Sequence, residues 1–161
     1  MNRLLILPVL LLTLLVGNPA FSADFQKGYA AYQRGDYATA LREWEPLAEQ
    51  GNADAQNNLG LMYDNGQGVP QNDKTAVKWY KLAAEQGDAT AQTNLGIKYF
   101  IGKGVVQDYV RTHMWLSIAA SQGYKDASKK REVVAKRMTT SQIETAQKLA
   151  RECVKKNYKG C

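Results

Sequence analysis

The sequence predicts an all-α protein, a right-handed α-solenoid of stacked helix-turn-helix repeats, and three observations support this. A short phrase recurs every 36 residues, as LAEQG at 47–51, AAEQG at 83–87 and AASQG at 119–123. Apolar residues follow helical spacing, and no segment alternates like a strand. Glycines and helix-capping residues recur at the same places in successive units. Self-similarity with a period of about 20 to 50 residues indicates a stacked repeat array.

Residues 1–23 are predicted to be a cleaved signal peptide. Met1-Asn2-Arg3 is a short positive start, residues 4–16 are apolar except for Thr13, and small residues precede Asp24. This layout is typical of secretory signals, and the apolar run is shorter than the roughly 20 residues that cross a bilayer. Cleavage would follow Ser22 or Ala23, and the alternative is an uncleaved anchor. The rest of the chain is expected to be soluble.

Two central units, 52–87 and 88–123, match almost throughout. Ala53, Ala55, Leu59, Gly60 and Tyr63 align with Ala89, Ala91, Leu95, Gly96 and Tyr99. Ala55, Leu59 and Met62 share one face of the first helix. A glycine inside a helix costs about 1 kcal/mol relative to alanine. The recurrence of Gly60 and Gly96 therefore predicts that a neighbouring helix approaches closely there.

The loops and caps of these units also repeat. Gly66-Gln67-Gly68 and Gly102-Lys103-Gly104 are expected to end the first helix of each unit. Asn72 and Asp108 are predicted N-caps of the second helices, and Asn52 and Asp88 of the first. Trp44, Trp79 and Trp115 occupy related positions, and their predicted role is packing within and between repeats.

The pattern A-x-A-x-x-x-L-G-x-x-Y-x-x-G-x-G-V, followed by a tryptophan and A-A-x-x-G, resembles the Sel1-like repeat, a relative of the tetratricopeptide repeat. The resemblance implies two-helix units that serve protein–protein contacts. Residues 24–51 are similar to a tetratricopeptide-type hairpin without the Gly-x-Gly-Val insert. Residues 124–161 are predicted to be C-terminal basic capping helices, with a capping box at Thr139–Gln142 and a last helix from about Thr140 to Asn157.

Charge is concentrated in the capping segment. The net charge is +6, and residues 122–161 contain 11 Lys and Arg against four Asp and Glu. Such an excess favours anionic partners, including lipid headgroups and acidic polymers, or is a solvated helix face. Nucleic-acid binding is not indicated, because the segment lacks interleaved aromatic residues apart from Tyr124 and Tyr158.

The two cysteines, Cys153 and Cys161, lie close together. In an exported chain an even cysteine count favours a disulfide. The alternative is a pair of metal ligands, although zinc sites need four ligands and no His or further Cys is nearby. We therefore predict no metal site.

The sequence shows no catalytic constellation and no cofactor motif. His113 is the single histidine and has no evident partner, and Glu43 and Glu45 fall on different helix faces. Neither G-x-S-x-G nor a phosphate-binding loop is present. We predict no enzymatic activity. The resemblance leaves one alternative, since some cysteine-rich exported members are linked to β-lactam or cell-wall binding and weak hydrolysis.

A binding groove is expected along the first helices of the repeats. The residues that point away from the buried stripe are Asn57, Asn58, Leu61, Asp64, Asn65, Asn94, Ile97, Phe100 and Ile101. The apolar members would form an exposed patch, or would pack on the neighbouring repeat or the cap. The predicted function is a protein-interaction adaptor in the cell envelope, in the periplasm or secreted, with a protein or peptide partner and no cofactor. A basic module for anionic polymers or lipids is a further alternative.

Overall fold

The computed structural model describes residues 23–161, so residues 1–22, which include nearly all of the predicted signal peptide, lie outside the described residues. Across residues 23–161 the chain forms eight helices and no strand. They are α1 (Phe25–Gln33), α2 (Tyr37–Glu49), α3 (Ala53–Asn65), α4 (Asp73–Ala84), α5 (Ala89–Ile101), α6 (Tyr109–Ser121), α7 (Lys125–Ala135) and α8 (Thr140–Lys155). The predicted all-α repeat fold is confirmed. No helix in this part of the chain has the length and apolar character needed to span a membrane.

The predicted helix boundaries are largely correct because local side chains set them. Asn52 and Asp88 accept hydrogen bonds from the backbone N–H groups of Ala55 and Ala91, at 2.8 and 2.6 Å. The predicted caps of the second helices do the same. Gly66 and Gly102 end α3 and α5 with φ of 68° and 72°, which side-chain-bearing residues rarely adopt. The capping box of Thr139 and Gln142 is present.

Two predicted boundaries in the cap are too long. The last helix ends at Lys155 instead of Asn157, because Asn157 and Tyr158 have positive φ of 49° and 66°, which ends the right-handed helix. The preceding cap helix, which the sequence predicts from Tyr124 to Met138, spans only Lys125–Ala135.

The helices form three hairpins, α1–α2, α3–α4 and α5–α6, which stack through contacts between the second helix of each and the first helix of the next unit. α7 continues the stack by packing on α6. α8 departs from the pattern, because it also packs on α6 instead of forming a hairpin with α7. The cap therefore consists of two helices, α7 and α8, that both pack on α6.

Each hairpin closes on one glycine. A Cβ added to Gly60 would lie 2.6 Å from the Tyr80 ring, and one added to Gly96 would lie 3.2 Å from Leu116. In the first hairpin, Trp44 lies against Gly28 in the same way. The predicted close approach at Gly60 and Gly96 is confirmed.

These contacts correct the register of one tryptophan. Trp44 is equivalent to Tyr80 and Leu116, each 36 residues apart, and Glu43 stands where the repeats have Trp79 and Trp115. Trp44 and Trp115 are buried, whereas Trp79 is only half-buried. The three tryptophans therefore do not share a single repeat position.

The C-terminal disulfide is present. Cys153 and Cys161 are bonded, with their Cα atoms 5.6 Å apart. The bridge holds the last residues against α8, and the Tyr158 ring lies beside Gly87 at the end of the α4 unit.

Candidate functional site

The predicted asparagines of the first helices face one another across the repeat interface. Asn57 is buried, and its side-chain oxygen accepts a hydrogen bond of 3.0 Å from the amide of Asn94. Asn58, at the position equivalent to Asn94, is half-buried. Asn57 therefore does not point away from the buried surface as predicted, because its amide joins one repeat to the next.

Glutamines make a second set of connections, within each repeat and to the unit before it, which sequence reasoning missed. The Gln56 amide donates to the Ala48 carbonyl, and its oxygen accepts from Gln86 at 2.7 Å. The next unit repeats this with Gln92 and Gln122, at 2.8 Å. Their recurrence at an interval of 36 residues was the available signal.

Asp64 belongs to an ion-pair cluster between repeats. The Lys98 ammonium is buried and lies 2.5 Å from Asp64 and 2.6 Å from Asp73. The Tyr80 hydroxyl donates to Asp64 at 3.4 Å. The predicted groove residue Asp64 thus holds the second repeat to the first.

The titration of this cluster follows from its contacts. The hydrogen bond from Lys98 lowers the pKa of Asp73. Burial opposes the charge of Lys98, but its hydrogen bonds to Asp64 and Asp73 outweigh burial and raise its pKa. Burial, then the charge of Asp64, raises the pKa of Tyr80. Lys98 is therefore charged across the physiological range.

Asn65 is the last residue of α3 and precedes the loop that touches the first hairpin. Its exposed amide donates to Gln67 at 3.3 Å. Gln67 in turn accepts from the Tyr32 hydroxyl and donates to that of Tyr37, both at 3.0 Å. Asn65 is thus linked to the joint between the first two units.

Ile97 and Phe100 line an apolar groove between α5 and α7, with a volume of about 350 Å³. We call it the α5–α7 groove, and its lining residues are Ile97, Phe100, Thr112, Leu116, Asp126, Lys129, Lys130, Val133 and Val134. Val133 leaves 54% of its surface exposed. Sequence reasoning did not predict that α7 forms one wall of this groove, because most of α7 is polar. The adjacent Val133 and Val134 were the only sequence signal for it.

The apolar residues predicted as one patch are divided by the structure. Phe100 is half-buried, with its ring 5.6 Å from that of Tyr109 and the Arg137 guanidinium 5.1 Å above it. Ile101 is 45% exposed but lines a separate, shallow depression beside Gly104. Leu61 is half-buried and borders neither feature.

His113 is buried in α6, with its Nδ1 atom 3.3 Å from the Ser117 hydroxyl. Burial, followed by the nearby charge of Arg131, lowers its pKa. Its ring is therefore neutral at physiological pH.

The repeat geometry agrees with comparisons to known proteins. Residues 53–88 and 89–124 each match the family model of the Sel1 repeat. This chain is a Sel1-repeat protein. Sel1 repeats generally mediate protein–protein contacts and are typically non-catalytic.

Two solved structures show the same Sel1 architecture. One is a protective antigen present in uropathogenic Escherichia coli strains, displaying an SLR fold, with 27% identity and a TM-score of 0.77 over 81% of this chain. The other is a Sel1 repeat protein from Oxalobacter formigenes, with 30% identity and a TM-score of 0.67 over 84% of this chain. This chain spans 30% and 58% of their respective lengths. No curated protein matches the sequence.

Proposed function

We propose that this Sel1-repeat protein is an exported adaptor of the cell envelope that binds a protein partner in its α5–α7 groove. The open apolar groove itself carries the proposal. Ile97 and Phe100 form one wall and the exposed Val133 the other, with Lys129 and Lys130 along the edge. An apolar centre with a polar rim is the usual composition of a protein interface.

The adaptor role is tested by capture from the native cell envelope after mild cross-linking, using the tagged mature protein as bait. Val133→Asp places a charge in the groove without removing a buried side chain. Val106→Asp is the matched control, because Val106 is 87% exposed and lies outside the groove. A partner retained by the wild type and the control, but lost by Val133→Asp, supports the proposal. Equal capture by all three would contradict it.

Export is part of the same proposal, and the start of the described chain supports it. The backbone N–H of Asp24 donates to the buried carboxylate of Glu43 at 3.0 Å, and Lys27 lies 2.7 Å from the other oxygen. The hydrogen bond from Lys27, then that from Asp24, lowers the pKa of Glu43. Cleavage after Ala23 would turn the Asp24 N–H into an ammonium group that faces this carboxylate.

N-terminal sequencing of the protein from fractionated cells tests export. We expect the mature chain to begin at Ala23 or Asp24 and to be found in the envelope fraction. A chain that still begins at Met1 and is found in the cytoplasm would refute export while leaving the groove proposal intact.

A further inference from the structure

The cap contains a second concave surface, which shares no lining residue with the α5–α7 groove. Because α7 and α8 both pack on α6 without forming a hairpin, a cleft of about 700 Å³ opens between them. We call it the cap cleft. Its lining residues are His113, Ser117, Ile118, Ser121, Arg131, Gln147, Ala150, Arg151, Val154 and Lys155.

The cap cleft is positively charged without compensation. Arg131 comes from α7, and Arg151 and Lys155 come from α8, while no Asp or Glu lines the cleft. Within residues 23–161 none of these three cations forms an ion pair, in contrast to Lys130, which pairs with Asp126 at 2.7 Å. Unpaired cations that converge on a concave surface attract and orient an anionic ligand.

The cleft floor is apolar and small. Ile118 and Ala150 are buried beneath it, and Val154 is 43% exposed at one wall. The short side chains of Ser117 and Ser121 leave room above α6. The apolar side chains of Ile118, Ala150 and Val154 offer contact area to an aliphatic side chain between the polar groups of the walls.

The dimensions fit a short peptide. Gln147 and Lys155 stand at the two ends of the α8 wall, which is about 12 Å long at the helical rise. That length matches about four residues of extended chain, at roughly 3.3 Å each. Carboxylates on such a segment would reach Arg131 and Arg151 while an alternate side chain lies on the floor.

We propose that the cap cleft binds a short acidic peptide segment that carries aliphatic residues between its carboxylates. The choice of a peptide rests on the proposed protein-binding function, but the cleft is a site separate from the α5–α7 groove. The ligand is recognised by two features together, which are negative charge and an alternating aliphatic side chain.

The test uses a fluorescein-labelled hexapeptide of alternating Glu and Leu, with fluorescence anisotropy as the measurement and residues 24–161 as the protein. Saturable binding that weakens with added salt is expected. Arg131→Gln combined with Arg151→Gln should weaken binding about tenfold, as expected for the loss of two charged contacts. Ser121→Trp, which fills the cleft without changing its charge, should weaken binding as well.

Matched controls separate this site from general charge. Lys125→Gln combined with Lys136→Gln removes the same charge from the cap, at exposed positions outside the cleft, and should leave binding within about twofold. Circular dichroism of each variant verifies folding. A Lys-Leu hexapeptide should not bind.

Three results would overturn the inference. They are absence of saturable binding, equal binding by the Arg131→Gln, Arg151→Gln variant, and association only with phosphatidylglycerol vesicles, which would make the cap a lipid-binding surface. Val133→Asp should leave peptide binding unchanged. A protein that loses its partner through Val133→Asp but never binds the peptide would retain the adaptor function and lose the cap-cleft site.

Discussion

At the scale of single residues, the recurring phrase has two separate duties. Its glycine turns the chain into the next unit, and Gly87 does so with a φ of 94°. Its glutamine ties the end of the second helix to the first helix of the same unit, where Gln86 donates to Gln56. Periodicity identified the turn, but the glutamine contact joins residues 30 positions apart in the chain. No local rule predicts such a partner.

Lys98 is the residue whose removal is most informative. We expect Lys98→Met to lower the free energy of unfolding by about 2 kcal/mol at pH 7, between the values typical of exposed and buried ion pairs. Methionine should fit, because Met62 occupies the equivalent buried position in the preceding repeat. Urea unfolding of the two proteins measures the difference.

The pH dependence of that difference tests its electrostatic origin. The pKa of Asp73 is lowered, so its contribution is complete above the usual value of 3.8 and is lost as the pH falls through the lowered pKa. The pKa of Lys98 is raised, so its contribution is complete below 10.5 and is lost at higher pH. The effect of Lys98→Met should be greatest between roughly pH 4 and pH 10. A difference that does not vary with pH would assign it to packing alone.

At the scale of helices, the packing of the two helices in each hairpin depends on the side chain that lies opposite the glycine. Tyr80 of α4 contacts Gly60 of α3, and the smaller Leu116 of α6 contacts Gly96 of α5. The same glycine therefore has different steric requirements in two units whose sequences are nearly the same. The sequence predicted that both glycines matter but not that they differ.

We expect Gly60→Ala and Gly96→Ala to have different effects. The new Cβ at residue 60 would overlap the Tyr80 ring at 2.6 Å and should cost about 2 kcal/mol. At residue 96 the nearest atom is 3.2 Å away, and the gain in helix propensity of about 1 kcal/mol should offset most of the strain. Thermal unfolding of both variants measures this.

Compensation by the partner residue checks the cause. Tyr80→Leu places a leucine opposite residue 60, as Leu116 lies opposite Gly96 in the second repeat. Gly60→Ala should therefore cost less stability when added to Tyr80→Leu than when added to the wild type. Equal destabilisation by both glycine substitutions, with no recovery, would show that the ring contact is not responsible.

At the scale of the whole molecule, α8 decides how the array ends. A regular repeat would pair α7 with a second helix, whereas α8 returns to α6 and opens the cap cleft. Cys153 is buried in the core that α8 shares with α4 and α6, and its bond to Cys161 brings Tyr158 onto Gly87. The disulfide therefore secures the helix that interrupts the repeat pattern.

Cys161→Ser should lower the free energy of unfolding by at most about 2.5 kcal/mol, the chain-entropy value for a loop this short. Guanidinium unfolding with and without a reducing agent measures the loss. The reduced wild type should match the untreated variant, and alkylation mass should show two protected thiols before reduction. A wild type that is unaffected by reduction would mean that α8 is held by packing alone.

The sequence by itself determined the repeat period, the helix caps, the turn glycines and the pairing of the two cysteines. These depend on interactions within a few residues, or on a pattern that the chain repeats. It also marked Ile97 and Phe100 as unusual, because they are apolar and lie off the buried stripe. Whether those residues formed one exposed patch or packed on the cap could not be decided from their spacing.

Only the tertiary structure showed what those residues contact. It placed Asn57 against Asn94 and Asp64 against Lys98, so three of the predicted groove residues are used to join repeats. It also brought Val133 to Ile97 and Arg131 to Arg151, through the packing of α7 and α8 on α6. The physical reason is that long-range side-chain contacts depend on how whole helices pack. The packing of α8 on α6 is not part of the repeat, so the 36-residue pattern of the sequence does not predict it.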